Sequence, residues 1–161
     1  MRECIREIVL RPCGFKDLEQ VCRLEGASFA GDAYGRAEFL FFLATARDGF
    51  VVACEGDKVV GYVIATDREG HGLVQSIAVS PEFRRRGIGW MLMRSAMGHL
   101  ARRFERVYLQ VDSKQDAAIG LYRKLAFGET GKVLKRYYPN GDDAVEMARE
   151  LGEYRERPCR G

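Results

Sequence analysis

The sequence predicts an α/β fold in which about four helices flank a mixed sheet of about seven strands. Two observations lead to this prediction: early β-branched runs are joined by hairpin turns, and later runs alternate with segments of helical periodicity. With 161 residues, the chain has the usual length of one domain. We expect a single domain over residues 1–151 and a flexible tail over residues 152–161, where Pro158 stands among charged residues.

Strands are predicted where β-branched and other apolar residues run together between turn residues. Gly56 and Asp57 separate two such runs and indicate a hairpin, and Asn140 and Gly141 indicate a turn near the end of the chain. In chain order, the predicted strands are Ile5–Arg11, Phe50–Cys54, Val59–Thr66, Leu73–Val79, Arg106–Val111, Lys132–Tyr138 and Ala144–Leu151.

Helices are predicted where apolar residues recur three or four positions apart. Phe15–Phe29 shows this spacing, and Ala37–Thr45 is expected to form a second, short helix. A long helix is expected after Gly89, and Asp116–Leu125 is expected to form another. The apolar stripe of the long helix is predicted to consist of Trp90, Met93, Met97, Leu100 and Phe104.

Composition excludes several classes of protein. Apolar residues make 47% and charged residues 30% of the chain, which argues against intrinsic disorder. The longest apolar run, Phe39–Ala44, is far shorter than the ~20 residues that cross a bilayer. Five scattered cysteines show no metal-ligand spacing, so we expect no metal site and no disulfide framework. We expect a cytoplasmic protein, because no apolar secretory segment fits among Arg2, Glu3, Arg6 and Glu7.

Positive charge is concentrated in one part of the chain. Residues 82–106 hold seven arginines and two glutamates, whereas the net charge of the whole chain is only +3. A local positive field suits a phosphate-bearing ligand or nucleic acid. Nucleic-acid binding would need several phosphate contacts and interleaved aromatic residues, which this run lacks, so we do not expect it.

A glycine-bearing loop between a predicted strand and a predicted helix is the most informative segment. Residues 76–89 read Ser-Ile-Ala-Val-Ser-Pro-Glu-Phe-Arg-Arg-Arg-Gly-Ile-Gly. Gly87 and Gly89 leave the loop amides open to a diphosphate, and the following helix contributes its positive end. No Gly-Lys-Ser/Thr triplet follows, and Leu92 stands where a dinucleotide fingerprint has its third glycine, so neither of those nucleotide motifs fits.

This loop, with Arg-x-x-Gly-x-Gly after a strand ending in Ala-Val, resembles the acetyl-coenzyme A signature of the Gcn5-related N-acetyltransferases (GNAT). The resemblance implies the GNAT acyl-CoA N-acyltransferase fold, with acetyl-CoA as cosubstrate. It implies that loop amides hold the pyrophosphate, and that Ile77 and Val79, on a strand splayed from its neighbour, offer main-chain groups to the pantetheine arm. The residues implied to bind the coenzyme here are Ile77, Ala78, Val79, Arg84, Arg85, Arg86, Gly87, Ile88 and Gly89.

Two further segments narrow the resemblance. Residues 109–127 read Leu-Gln-Val-Asp-Ser-Lys-Gln-Asp-Ala-Ala-Ile-Gly-Leu-Tyr-Arg-Lys-Leu-Ala-Phe, and residues 136–147 read Arg-Tyr-Tyr-Pro-Asn-Gly-Asp-Asp-Ala-Val-Glu-Met. Both are similar to blocks of the RimI-like protein N-terminal acetyltransferases, especially the archaeal and eukaryotic members. The resemblance therefore implies that the acetyl group goes to the α-amino group of a protein N-terminus by direct attack in a ternary complex.

The same resemblance assigns roles to individual residues. Tyr122 would hydrogen-bond to the departing thiolate or protonate it, and Gln115 stands where relatives have an asparagine that contacts the coenzyme. Since adjacent strand residues face opposite ways, we expect at most one of two neighbouring tyrosines to touch the acceptor peptide. The residues implied to contact that peptide are Phe29, Tyr34, Tyr137 and Tyr138.

The proton acceptor is where the sequence departs from its relatives. Gln110 replaces their usual glutamate, and Leu73 stands where several members carry histidine or tyrosine. An α-amine titrates near ~7.7–8.0 and lysine near ~10.4, so an α-amine can react with a weak base and a lysine much less readily. We therefore expect a water held by Gln110 to relay the proton, with Glu25 or Asp112 as remoter acceptors.

Two other functions remain open at this stage. A GNAT enzyme for a small amine, such as a polyamine or an antibiotic, would need an acidic groove, and only Asp142 and Asp143 form an acidic pair in the matched segments. A coenzyme-binding module without catalysis would fit the missing glutamate. We expect a monomer or a weak homodimer, and the sequence does not decide whether the protein associates with ribosomes.

Overall fold

One mixed sheet organises residues 7–155, which are the residues that this computed structural model describes. Within them, seven strands lie in the order β1-β2-β3-β4-β5-β7-β6. All neighbours are antiparallel except β4 and β5. The strands are β1 (Ile8–Pro12), β2 (Phe50–Glu55), β3 (Lys58–Arg68), β4 (His71–Val79), β5 (Arg106–Asp112), β6 (Gly128–Leu134) and β7 (Ala144–Glu150).

Helices cover both faces of this sheet, but not equally. They are α1 (Leu18–Ser28), α2 (Arg36–Ala46), α3 (Ile88–Leu100), α4 (Asp116–Lys124) and a single turn, α5 (Gly152–Arg155). Helices α1 and α2 pack on one face of β2 to β4, whereas α3 and α4 pack on the other face, which continues across β5 and β7. None of the helices in residues 7–155 has the length and apolarity to span a bilayer.

The sequence pattern explains why the central strands are apolar throughout. Neighbouring residues of β2 point to opposite faces: Val51 and Ala53 join the core beneath α3, while Phe50 and Val52 join the core beneath α1 and α2. Both sets are buried, so β2 has no polar face. On β5 only alternate residues, such as Val107 and Leu109, enter the core, because no helix covers the other face there.

Several predicted bounds need correction. The sixth strand is Gly128–Leu134, not Lys132–Tyr138. A turn ends it early, because the Asp143 carboxylate accepts the Arg136 N–H at 2.8 Å and pairs with Lys135 at 3.0 Å. Of the first predicted strand, residues 5 and 6 lie outside the described residues.

The long helix and the end of the chain also differ from expectation. Trp90 is 38% exposed, because residues such as Leu92 and Met93 form the buried face of α3. Phe104 lies beyond the end of this helix. The expected tail begins with a helical turn, α5, whose Tyr154 packs against the core. Residues 156–161 of that tail lie outside the described part of the chain.

Candidate active site

The sheet opens into a fork between β4 and β5. These parallel strands pair only at Gly72–Val107 and Leu73–Tyr108, whereas β4 stays paired with β3 as far as Val79. Among the described strands, none pairs with the β5-facing edge of β4 from residue 74 onward. Main-chain groups along that edge, including those of Ile77 and Val79, can therefore bond to a ligand that enters the fork.

A bulge in β4 turns one side chain toward the loop between α1 and α2. Ser76 pairs with Ile64 and Val74 with Ala65, so Gln75 is the extra residue. Its Nε2 donates a hydrogen bond to the hydroxyl of Tyr34 at 2.7 Å. Bulges commonly re-aim side chains beside functional sites, and this one ties the fork to the α1–α2 loop.

The loop after β4 forms a concavity lined by main-chain amides. Arg85 and Gly87 both have left-handed backbone, with φ of 61° and 77°. No residue in the described range accepts a hydrogen bond from the amides of residues 85–89, and the first turn of α3 holds no acidic side chain. Successive free amides at a helix N-terminus create a site for an anion. The loop can therefore hold a diphosphate.

The two loop glycines serve different needs. A Cβ on Gly87 would meet no atom within 4 Å, so this residue is required for its left-handed backbone and leaves the space above the loop open. A Cβ on Gly89 would lie 3.2 Å from Leu121 Cδ2, so this residue also allows α3 to approach α4. The sequence predicts that both glycines clear space for a ligand, and at Gly89 the contact between α3 and α4 is a second reason for a glycine.

The three loop arginines are held differently. Arg84 Nε donates to the main-chain oxygen of Val79 at 3.1 Å and so fixes the end of β4. The Arg86 guanidinium lies 4.9 Å from the ring centre of Phe83, which also carries the Lys58 ammonium at 5.0 Å. Arg85 is exposed. The buried Phe83 thus holds positive charge beside the loop.

Two of the other predicted coenzyme residues have side chains buried in the cores. Ala78 is buried with Tyr62 beneath α1 and α2, and Ile88 is buried against the opposite face of the sheet. Each can therefore contribute only main-chain groups to a ligand. Gln115 is exposed just before α4, where its main-chain N–H donates to the main-chain oxygen of Asp112 at 2.9 Å.

Tyr122 is a buried phenol with an unused hydroxyl. The residue is 7% exposed, its ring lies 6.0 Å from that of Phe127, and burial raises its pKa to about 12. Its hydroxyl has no hydrogen-bond partner among the described residues. Every side-chain N or O atom that is fully enclosed in this part of the chain does have a partner. The hydroxyl oxygen is therefore not fully enclosed, and it stays protonated at neutral pH and can donate.

A hydrogen-bonded network lies on the face of β4 that α1 and α2 cover, opposite to the face on which Tyr122 packs. Glu25 of α1 is 1% exposed, and its carboxylate accepts hydrogen bonds from the Tyr62 hydroxyl and, at 3.0 Å, from the Tyr34 N–H. The Tyr62 hydroxyl is also 2.9 Å from Ser76 Oγ. Burial raises the pKa of Glu25. The sequence suggested Glu25 as an acceptor but gave no sign of Tyr62 and Ser76, which lie far away in the chain.

Aromatic residues from two loops flank the uncovered face of the sheet. The rings of Tyr137 and Tyr138 are 5.1 Å apart at 86°, and Tyr34 packs against Phe42 at 5.4 Å. Burial raises the pKa of Tyr138, and the charge of Asp32 on the other loop adds to this shift. Both tyrosines lie beyond β6, so the rule of alternating strand faces does not apply to them. Phe29, at the end of α1, is partly exposed.

Residues 15–127 match the model of the acetyltransferase (GNAT) family. The chain belongs to the GNAT acetyltransferase family. The N-alpha-acetyltransferase of Saccharolobus solfataricus is 33% identical over 162 residues, which cover 91% of this chain and 95% of that protein. The N-alpha-acetyltransferase RimI of Mycobacterium tuberculosis is 34% identical, with 85% of this chain and 89% of that protein covered. The structure of Ard1 from Thermoplasma volcanium has 28% identity and a TM-score of 0.84, covering 89% and 97% of the two chains.

Membership of the GNAT family confirms the resemblance, the fold and the class of enzyme that the sequence predicts. The seven-stranded mixed sheet is the expected GNAT sheet, and the chain is an acetyl-CoA-dependent acyltransferase. The family does not settle which residue accepts a proton. In this GNAT protein Gln110 lies at the fork, half-buried, and its Nε2 donates to Glu146 Oε2 at 3.4 Å.

Proposed function

We propose that the protein transfers the acetyl group of acetyl-CoA to the α-amino group of a protein N-terminus. One observation carries this proposal: the fork between β4 and β5 joins an amide-lined anion site to an uncovered sheet face between two aromatic loops. A thioester can enter from one side and a chain end from the other. The names of the relatives, N-alpha-acetyltransferase and RimI, support the same acceptor.

On the coenzyme side, the available donors fit a diphosphate followed by an amide-bearing arm. The amides of residues 85–89 would bind the diphosphate, and the arginine side chains would add positive charge. The free edge of β4 would bond to the arm through the main chain of Ile77 and Val79. An arm bonded in this way would act as an extra strand in the fork and would carry its thioester toward Gln110 and Tyr122.

The reaction needs a neutral amine, a place for the oxyanion and a proton for sulfur. The amine nitrogen forms a bond to the thioester carbon, and the C–S bond then breaks with its electron pair going to sulfur. Tyr122 would protonate the thiolate, because its buried phenol holds its proton far above neutral pH. Main-chain amides of β4 would stabilise the oxyanion.

The acceptor face suits the end of a polypeptide. Phe29 and Tyr34 lie on one side, and Tyr137 and Tyr138 on the other. Glu25 fixes the first of these loops through the Tyr34 N–H. An α-amine is neutral in roughly a tenth of molecules at pH 7, whereas a lysine is neutral in fewer than about one in a thousand, which favours α-amines at a site without a strong base.

We also propose that the reaction occurs in the cytoplasm, where acetyl-CoA and new protein N-termini meet. Residues 1–151 would act as one domain, in a monomer or a weak homodimer. Gel filtration of the full chain at several concentrations tests the oligomeric state.

A mass-resolved acetylation assay tests the function. Peptides that differ in their first two residues are incubated with acetyl-CoA beside peptides whose α-amine is blocked and whose only amine is an internal lysine. We expect acetylation of α-amines with a preference among first residues. Modification of internal lysines alone would refute the assignment. Tight coenzyme binding without turnover of any peptide or small amine would instead favour a binding module.

A further inference from the structure

The fork carries an amide where the reaction needs a proton acceptor. Gln110 lies two positions beyond the last residue of β5 that pairs with β4, so it is at the first open step of the fork. At pH 7 roughly nine-tenths of an α-amine is protonated, and an amide side chain cannot remove that proton. If the proposed function holds, a group near Gln110 that accepts this proton would bring the protonated nine-tenths of the amine into the reaction.

A carboxylate stands directly across from Gln110 on the neighbouring strand. Gln110 and Glu146 are register partners in the antiparallel pair of β5 and β7, so their side chains share one face of the sheet. That face is the one no helix covers. Gln110 Nε2 lies 3.4 Å from Glu146 Oε2, and the Glu146 side chain is only 13% exposed.

The surroundings of Glu146 orient it and leave it accessible. From β6, Thr130 Oγ1 donates to Glu146 Oε1 at 3.0 Å, and the Lys132 ammonium lies 3.9 Å from Oε2. The carboxylate lines a cavity of about 540 Å³. The other charged or titratable residues lining this cavity, from β5 and β6, are Arg106, Tyr108 and Glu129. Water can therefore reach Glu146 from the uncovered face.

The two carboxylates that the sequence suggested as acceptors hold parts of the fold in place. Glu25 is enclosed, and its two oxygens accept bonds from Tyr62 and Tyr34. Asp112 Oδ1 accepts the Lys114 N–H at 2.9 Å and so fixes the turn before α4. Glu146 is thus the carboxylate that combines a bond to Gln110 with an opening to solvent.

We propose that Glu146 is the proton acceptor of the reaction, and that Gln110 positions its carboxylate. Glu146 takes one proton from the acceptor ammonium, directly or through one water, and releases it to solvent. The neutral nitrogen then forms its bond to the thioester carbon, and the C–S bond breaks with its electron pair on sulfur. Tyr122 protonates that sulfur, and the second proton lost by the nitrogen returns to Tyr122. Relatives usually carry a glutamate at the β5 position that Gln110 occupies here. In this chain the proposed carboxylate thus stands on the neighbouring strand, β7, at the position that pairs with Gln110.

Two variants test this inference with a peptide α-amine as substrate. For Glu146→Gln, which keeps the shape and the bond to Thr130, we expect kcat/KM at pH 7 to fall about tenfold, because the variant would depend on the roughly one-tenth of the amine that is already neutral. The loss should shrink as the pH rises to 9, because the amine then loses its proton unaided. The double variant Glu146→Gln with Gln110→Glu returns a carboxylate to the fork and should regain most of that loss.

The matched control is Glu129→Gln, which lines the same cavity but pairs with Arg123 at 2.7 Å. We expect this control to keep the activity and the pH profile of the wild type. Acetyl-CoA affinity, measured by calorimetry, should be unchanged in Glu146→Gln and Glu129→Gln, because neither residue lies on the loop at 85–89 or on β4.

Two results would overturn the inference. One is a Glu146→Gln enzyme with the wild-type rate and pH profile. The other is a loss that persists at pH 9 and is not rescued by Gln110→Glu, which would mark Glu146 as structural. A wild type that acetylates only lysines would instead refute the proposed function, and the same variants would then decide the role of Glu146 on the lysine amine.

Discussion

At the scale of single residues, Tyr122 illustrates how burial prepares a group for chemistry. Its ring lies in the core between the sheet and α4, while its hydroxyl has no hydrogen-bond partner among the described residues. Because burial raises the pKa to about 12, the phenol is protonated at any pH at which the enzyme would work. The core therefore supplies both the position and the protonation state of the proposed acid.

Replacing Tyr122 by Phe removes the hydroxyl and keeps the packing ring. We expect kcat to fall about 100-fold, as for loss of a general acid, with little change in the KM for acetyl-CoA. The free energy of unfolding should change little, because the hydroxyl bonds to no described residue. Steady-state rates and urea unfolding measure the two effects. An undiminished kcat would exclude Tyr122 as the acid.

The pKa values of two buried carboxylates, Asp17 and Glu25, are shifted in opposite directions. Arg11 donates hydrogen bonds to both oxygens of Asp17, at 2.6 and 2.8 Å, and lowers the pKa of Asp17. Glu25 has no cationic partner among the described residues, and burial raises its pKa. Asp17 therefore stabilises the fold above its ordinary pKa and loses this contribution as the pH falls. Glu25 favours the fold at low pH and loses this contribution as the pH rises.

The variant Asp17→Asn tests the stabilising pair. We expect a loss of about 2 kcal/mol in the free energy of unfolding at pH 7, since hydrogen bonds to a charged group are lost while the partly exposed Arg11 can be solvated again. The difference from wild type should begin to shrink below about pH 3.8, where the carboxyl of the unfolded chain gains its proton, and should disappear as the pH falls through the lowered pKa of the folded state.

Urea unfolding across this pH range measures the difference. Glu19→Gln is the control, because its pair with Arg23 is exposed and should contribute less than about 0.5 kcal/mol. An effect of Asp17→Asn that stays constant with pH would contradict the assignment to the ion pair.

At the scale of elements, the loop and the start of α3 form one functional unit. The left-handed Gly87 turns the chain so that the amides of residues 85–89 open toward solvent before the helix begins. This conformation costs an L-residue roughly 1–2 kcal/mol. A glycine at this position therefore serves both the fold and the proposed anion site.

Gly87→Ala and Gly98→Ala form a matched pair of substitutions beside and within α3. Neither new Cβ meets an atom within 4 Å, but only Gly87 has a left-handed φ. We expect Gly87→Ala to lose about 1 kcal/mol of stability and to weaken acetyl-CoA binding about tenfold, because its methyl group enters the space above the loop. Gly98→Ala should gain up to about 1 kcal/mol from helix propensity and bind normally.

Calorimetric titration with acetyl-CoA and thermal unfolding measure both effects. Equal coenzyme affinity in the two variants would show that the space beside Gly87 is not where the diphosphate binds.

Most elements could be predicted from the sequence because their signals are local. The hairpin at Gly56 and the helix that carries Tyr122 agree with their predicted positions within a few residues. The predicted end of β6 was wrong, because the Asp143 carboxylate accepts a hydrogen bond from the N–H of Arg136, seven positions earlier in the chain, and so ends the strand. Trp90 fits a helical spacing, but that spacing does not say which stripe of α3 faces the sheet.

The residues of the candidate site likewise fall into two groups, those that local sequence motifs reveal and those that only the folded structure brings together. The glycine loop and Tyr122 lie in contiguous motifs, so a single sequence reveals them. Glu146 stands 36 residues from Gln110, and Tyr62 stands 37 from Glu25. Such pairs depend on strand register and helix packing, which one sequence does not specify. The residues that complete the acceptor side therefore became visible only in three dimensions.

At the scale of the whole molecule, the fork divides the sheet into two parts. Strands β1 to β4 form one part and β5, β7 and β6 the other, and only two residue pairs join them as a ladder. Helix α3 packs across the junction, where Leu92, Met93 and Met97 share a core with Val107 and Leu109. The junction thus depends on side-chain packing more than on main-chain bonds, and a ligand in the fork would add the missing bonds.

Amide hydrogen exchange with and without acetyl-CoA tests this view of the molecule. A ligand at 100 times its Kd stabilises the native state by about 2.7 kcal/mol, which corresponds to a rise of about 5–10 °C in melting temperature. We expect the largest slowing of exchange at Ile77, Val79 and residues 85–89, because those amides would gain partners. The β1–β2 edge, which lies two strands away from the fork, should change only with global stability. Uniform protection would mean that the coenzyme stabilises the fold without bridging the two parts, and protection confined to β1 and β2 would place it outside the fork altogether.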